Sequence, residues 1–166
     1  MSLAAKLVDG DHNVVRVAWD RLSPLPGGRR LFSRVLGLIA PYTGTVRAQV
    51  LDLRQDFCRT QLRDRRSVRN HLTSVHAVAL ANLAELTGNV ALAYSLPDDA
   101  RFIVAGMDIE YLKKARGTIT GVASQAMPRT SERCEYPVVV EMRDPVGDLV
   151  ARGTLRTLVG PKKNRG

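Results

Sequence analysis

At 166 residues, with 45% apolar and 25% charged side chains, the chain is long enough for one domain with a substantial core and too ordinary in composition for a disordered segment. No apolar run reaches the roughly 18 to 20 uncharged residues of a membrane span, no continuous apolar leader opens the chain, and Cys58 and Cys134 are too few and too far apart for a disulfide framework or a zinc site, so a cytoplasmic protein without a bound metal is expected. The net charge of +9 calls for an anionic partner; its arginines are scattered and the few aromatics do not alternate with the basic runs, so a phosphate-rich small molecule is a more economical partner than nucleic acid.

Residues 1–41 read as an N-terminal helical arm. Val14, Val15, Ala18 and Leu22 recur at helical spacing, and so do Leu31, Phe32, Val35, Leu36 and Ile39. The Pro- and Gly-rich residues 23–28 separate the two helices, and Pro41 stops the second. No chemistry is visible in this arm.

Residues 44–63 read as two strands. Val46, Ala48 and Val50 alternate with Arg47 and Gln49, and a turn at Arg54-Gln55-Asp56 leads to residues 57–62. A polar, basic loop follows over residues 63–73. Ser74 is the expected cap of a long helix that runs to about Ser95 and is ended by Pro97. Beyond it the period falls to two. Strands are expected over residues 102–113, 118–125, 135–143 and 149–159, with turns at Arg116-Gly117 and over residues 144–148. Residues 161–166 form a basic tail.

One long Ala-rich helix beside about six antiparallel strands has a natural solution: a curved sheet wrapped around the helix. Ala77, Ala79, Ala81, Ala84, Ala91 and Ala93 are small enough for close approach of helix and sheet. Asn82, Glu85 and Asn89, spaced three and four apart, share one face of that helix. A helix inside a sheet can show a polar face only at its open side, which is then a dimer interface, a pocket or both. Glu85 is the first candidate for chemistry. A lone carboxylate on an apolar helix costs several kcal/mol to desolvate unless it is paired, protonated or used.

The stretch from Tyr42 to Leu158 resembles the hotdog-fold acyl-CoA thioesterases, in particular the phenylacetate-pathway type and a thioesterase-like branch beside it. Three features carry the resemblance: Asn70, His76 and Glu85 in that order and spacing; the strand over residues 107–117 that ends in a basic turn before Gly117; and the closing hairpin over residues 144–147. The resemblance implies an α+β hotdog domain over residues 42–160 that works as a homodimer or dimer of dimers. It further implies hydrolysis of an acyl- or aryl-CoA thioester, with coenzyme A as part of the substrate and no other cofactor. In that picture Glu85 is the nucleophile or general base, and the Ala77 amide at the helix N-terminus polarises the thioester carbonyl. Asn70 orients water or the thioester, His76 positions the carbonyl or braces the loop, and Lys113, Lys114 and Arg116 hold the phosphates of coenzyme A.

The chain also departs from the pattern. Family members have His-Gly-Gly, or at least one Gly, where this chain has His76-Ala77-Val78, and often Pro where it has Lys114. The crowded turn either narrows the substrate range or leaves a module that binds thioesters without turnover. Each assignment has a structural competitor. His76 and Asn70 can serve only as cap and turn residues, Glu85 can pair with an Arg of a second copy, and the basic turn can be a solvated strand end. A hydratase of the same fold fits poorly, because those enzymes pair an acidic residue with a His five residues later.

Overall fold

The computed structural model describes residues 12–162. The expectations for residues 1–11 and for the basic run 163–166 fall outside the described residues.

The arm forms helices α1 (Val14–Leu22) and α2 (Gly28–Ile39). Trp19 and Phe32, one from each helix, are buried and meet edge to face with ring centroids 5.1 Å apart. Pro41 does more than stop α2. It opens the single-turn helix α3 (Pro41–Gly44), at a position where its missing N–H has no partner to lose.

Six strands follow: β1 (Gln49–Arg54), β2 (Phe57–Leu62), β3 (Ala100–Tyr111), β4 (Ile119–Ser124), β5 (Cys134–Arg143) and β6 (Leu149–Pro161). They form one antiparallel sheet in the order β1-β2-β4-β5-β6-β3. Helix α4 (Ala77–Ser95, 19 residues) interrupts them between β2 and β3 and packs on all six. This is the expected sheet wrapped around a helix.

Close approach rests on glycine as well as alanine. A Cβ on Gly153 of β6 would sit 2.7 Å from Ala84 Cβ, and one on Gly121 of β4 would sit 2.9 Å from the hydroxyls of Thr60 and Thr87. Those two hydroxyls lie 2.6 Å apart, and Thr87 also bonds to the Leu83 carbonyl at 2.6 Å, so the polar atoms at the centre of this packing are satisfied.

Three expected boundaries move. Strand β1 begins at Gln49, not near residue 44, because Arg47 adopts φ 49° and breaks the extended chain; Val46 and Ala48 are buried but lie before the strand. Ser74 is not the helix cap. Its hydroxyl is engaged with Asn70 at 3.1 Å, and His76 caps α4 instead. Strand β6 extends to Pro161, into the expected tail.

The arm is built into the domain at two places. Asn13 Nδ2 donates to the carbonyls of Ala93 at 2.6 Å and Leu96 at 3.1 Å, and Arg16 donates to those of Tyr94 and Leu96 at 3.2 and 2.5 Å. The carbonyls that a helix C-terminus leaves unpaired are thus met by α1. Helix α2 lies along β1, one edge of the sheet. Ser33 Oγ accepts from Val50 N–H at 2.9 Å and Arg29 donates to the Leu51 carbonyl at 2.7 Å, which blunts that edge. The other edge, β3, is paired only through β6.

Candidate functional site

The site is organised by the loop that precedes α4. The Asn70 side-chain oxygen accepts from Leu72 N–H, Ser74 N–H and Ser74 Oγ–H at 2.9, 3.2 and 3.1 Å, closing a tight turn in which Thr73 takes φ 55°. Val75 N–H donates to the Ala115 carbonyl and His76 N–H to the Val68 carbonyl, each at 2.8 Å. Asp64 ties the same region together. It pairs with Arg69 at 2.6 Å and accepts from Gly117 N–H at 3.0 Å, where Gly117 holds φ 72°. Chiefly the Arg69 hydrogen bond, with help from the Gly117 amide, holds the Asp64 carboxyl below the ordinary carboxylate range against the opposing effect of its partial burial.

The first turn of α4 is therefore fixed beside the basic turn over residues 113–116. His76 stands at the N-cap with its Nδ1 accepting from Val78 N–H at 3.1 Å, which assigns the remaining proton of the neutral ring to the exposed side, on Nε2. The His76 carbonyl accepts from Ala79 and Leu80 at 2.9 and 3.1 Å. The Ala77 N–H is left without an acceptor among the described residues, as expected for the first helical position. Tyr111, at the end of β3, donates its hydroxyl to the Ala77 carbonyl at 3.2 Å. Its burial pushes the phenol's pKa up, so the hydroxyl stays a donor.

Helix α4 leaves one face uncovered, traced by Val78, Ala81, Glu85 and Asn89. Glu85 is half-buried within one chain and has no hydrogen bond or ion pair among the described residues. Asn82 turns aside from this face. Its Nδ2 donates to the Tyr42 carbonyl at 3.2 Å, while its buried Oδ1 has no partner; the Oδ1 of Asn89 is in the same condition. Asn82, His76, Val78, Arg69 and Tyr42 line a cavity of about 210 Å³ under the start of the helix.

Of the expected site residues, Asn70, His76, Ala77, Lys114 and Arg116 come together around the N-terminus of α4. Glu85 does not join them. Eight residues at 1.5 Å per residue put it about 12 Å further along the helix. Lys113 is bonded to Asp148 and lies 3.6 Å from Asp144, so its charge is already balanced, and the Asp148 bond above all holds its ammonium protonated. Lys114 and Arg116 are exposed and without a partner among the described residues. The sequence reading missed Tyr111 and Asp64. Tyr111 was visible only as one member of an alternating strand, and the reach of Asp64 to Gly117 depends on the tertiary fold. Among the described residues no group of His, Cys, Asp and Glu can hold a metal ion, and no helix is long and apolar enough to cross a membrane.

Comparison with known proteins adds the following. The model of a family described as a domain of unknown function (DUF4442) matches residues 28–159, and the chain belongs to that family. Among solved structures, a genomics crystal structure described without a function is 29% identical, with TM-score 0.74, over 89% of this chain and 97% of its own. A Pseudomonas aeruginosa protein of unknown function, described as a "Probable Thioesterase", is 22% identical with TM-score 0.69, over 82% of this chain and 97% of its own. A phenylacetic acid degradation-related protein from Ralstonia eutropha JMP134 is 19% identical with TM-score 0.60, over 71% of this chain and 89% of its own. Further matches, at 14% identity, are described as a thioesterase and a thioesterase family protein. The fold is that of the hotdog thioesterases. No curated protein matches the sequence.

Proposed function

We propose that this member of the DUF4442 family hydrolyses the thioester of an acyl-coenzyme A, with Glu85 as the acting carboxylate. The observation that carries the proposal is the state of α4 among the described residues: a carboxylate without a partner on its uncovered face, and an N–H without an acceptor at its positive end. As a general base, Glu85 takes a proton from water. The hydroxide adds to the thioester carbonyl, the oxyanion rests on the Ala77 N–H, the C–S bond breaks and the thiolate of coenzyme A recovers the proton. As a nucleophile, the same carboxylate adds to the carbonyl, the C–S bond breaks with release of the coenzyme A thiolate, and water opens the resulting mixed anhydride to free acid and regenerated Glu85, its proton passing to the thiolate.

The backbones of Ala77 and Glu85 lie roughly 12 Å apart along one helix, and Glu85 stands on the uncovered face of α4, which favours a site that takes Ala77 from one copy of the chain and Glu85 from another. The unpaired edge of β3, where Ile103 is 65% exposed, and the open face of α4 are the surfaces on which a second copy fits. In this reading Lys114 and Arg116, which flank the Ala115 carbonyl bonded to Val75 N–H, take the phosphates of coenzyme A, whereas Lys113 braces the hairpin through its two aspartates.

A second reading is favoured by the turn itself. Ala77 carries a methyl group and Val78 is 52% exposed at the mouth of the site, which suits a module that binds thioesters without turnover. Release of free thiol from a panel of acyl- and aryl-CoA thioesters separates the two readings. Turnover by the wild type, with a loss on the order of a hundredfold or more in Glu85→Gln, supports hydrolysis. Binding without release across the panel supports the module. Mixing Glu85→Gln with Ala77→Pro, which removes the amide donor, tests the two-copy site: neither variant is active alone, and the mixture regains activity.

A further inference from the structure

A groove of about 840 Å³, larger than the cavity at the start of α4, runs between α2, α3 and β1 and reaches the middle of α4 at Leu86. Its apolar surface is formed chiefly by Leu36, Leu38 and Leu86, and its charged surface by Arg30, Arg34 and Arg47. Among the described residues no carboxylate lines it, and none of the three guanidinium groups has a hydrogen-bond or ion-pair partner.

That arrangement is unfavourable on its own. Arg30 and Arg34 stand four apart on α2, a spacing at which like charges weaken a helix. Arg47 brings a third positive charge on a residue held at φ 49°, a conformation that residues other than glycine adopt rarely. Charge of one sign over an apolar floor is relieved by a ligand that is apolar at one end and anionic at the other, and guanidinium groups match carboxylate and phosphate oxygens in pairs. The volume lies within the range of small-molecule sites, roughly 300 to 1,000 Å³.

We infer that this groove is a binding site for a single acyl chain with an anionic head, a fatty carboxylate or an alkyl phosphate, with the chain on Leu36, Leu38 and Leu86 and the head on Arg30, Arg34 and Arg47. The inference stands on the groove and not on hydrolysis. It assigns the arm a part in recognising that ligand, at a place separate from Ala77 and Glu85. Thr45 lines both this groove and the cavity at the start of α4, so the two are neighbours across one side chain.

Calorimetric titration of the full chain tests it with sodium octanoate, decanoate and laurate and with dodecyl phosphate, each below its micellar concentration. A methylene that leaves water contributes about 0.8 kcal/mol, or roughly fourfold in affinity. Laurate is therefore expected to bind at least about tenfold more tightly than octanoate, with saturation at one per chain. Arg34→Glu with Arg47→Glu, at exposed and unpartnered positions, is expected to weaken laurate at least about tenfold while leaving the circular dichroism unchanged. Thr43→Trp, which fills the groove, is expected to weaken it similarly. Tighter binding of laurate than of dodecyl phosphate assigns a carboxylate head, and the reverse assigns a phosphate. Equal binding of octanoate and laurate, undiminished binding by the double variant, or equal binding of dodecyltrimethylammonium overturns the inference. None of these titrations involves release of coenzyme A, so failure here and failure of the thioesterase reading are separate results.

Discussion

Replacing Asn13 tests how the arm is held. Its Oδ1 accepts from Arg16 N–H at 3.0 Å, capping α1, and its Nδ2 donates to the carbonyls of Ala93 and Leu96 at the end of α4. In Asn13→Ala the lost cap costs about 1 kcal/mol. The Ala93 carbonyl loses its donor at a partly buried position, which costs a further ~1–3 kcal/mol. The Leu96 carbonyl keeps Arg16 and adds little. The total is about 3 kcal/mol, or about 6 to 12 °C in Tm for a domain of this size. Chemical denaturation read by far-UV circular dichroism gives the number. Asn13→Asp is the discriminating partner. It keeps the capping oxygen but replaces the donor with a carboxylate facing carbonyls, so it should be at least as damaging as Asn13→Ala. A loss below about 0.5 kcal/mol for Asn13→Ala, or near-wild-type stability for Asn13→Asp, would refute the claim that α1 closes the C-terminus of α4.

Three further outcomes are expected. Gly153→Ala drives a methyl group to within 2.7 Å of Ala84 Cβ and should cost ~1–3 kcal/mol; adding Ala84→Gly should restore part of it, and strictly additive losses would mean that the two do not meet. Asp64 has a folded pKa below its unfolded value near 4, so its contribution to stability is present above that value and fades as pH falls through the lower folded one. The stability gap between wild type and Asp64→Asn should accordingly be widest near pH 6 and shrink on titration to pH 3, and a gap that stays constant contradicts the pairing with Arg69. Tyr111→Phe removes the hydroxyl from the Ala77 carbonyl and should cost no more than ~1 kcal/mol of stability while lowering kcat severalfold for any thioester that is turned over; an unchanged kcat would detach Tyr111 from the positioning of that turn.

Periodicity was enough for most of the elements. The 3.6 pattern placed α1 and α2, and the alternation of two placed β3, β5 and β6, because burial on one face leaves a regular trace; α4, buried on nearly all sides, was legible instead from its Ala-rich composition and the Pro97 stop. What failed was local chemistry that competes with propensity. Ser74 is a favoured capping residue, yet Asn70 takes its hydroxyl, and the imidazole of His76, a residue seldom counted among caps, does the work two positions later. Val46 and Ala48 keep the alternation of burial without being in the strand, since a single left-handed residue at Arg47 turns the chain between them. The covering of the β1 edge by Ser33 and Arg29 had no sequence signal at all. It depends on side chains meeting backbone groups some twenty residues away.

The candidate site shows the same division. The polar face of α4 was legible in Asn82, Glu85 and Asn89, but which of them faces outward was not, because Asn82 is drawn to the Tyr42 carbonyl. The rest of the helix is closely provided for. Its N-terminus has His76, its C-terminus has Asn13 and Arg16, and Thr87 is satisfied against Thr60 and the Leu83 carbonyl. Against that background two buried amide oxygens without donors among the described residues, on Asn82 and Asn89, flank the helix's own carboxylate, Glu85. Each such oxygen costs ~1–3 kcal/mol while it is unpaired. Acceptors cannot relieve one another, so the donors lie outside the described residues, and an assembly that covers the face of α4 at Glu85 would bring them to Asn89 first, because Asn82 is turned aside towards the Tyr42 carbonyl.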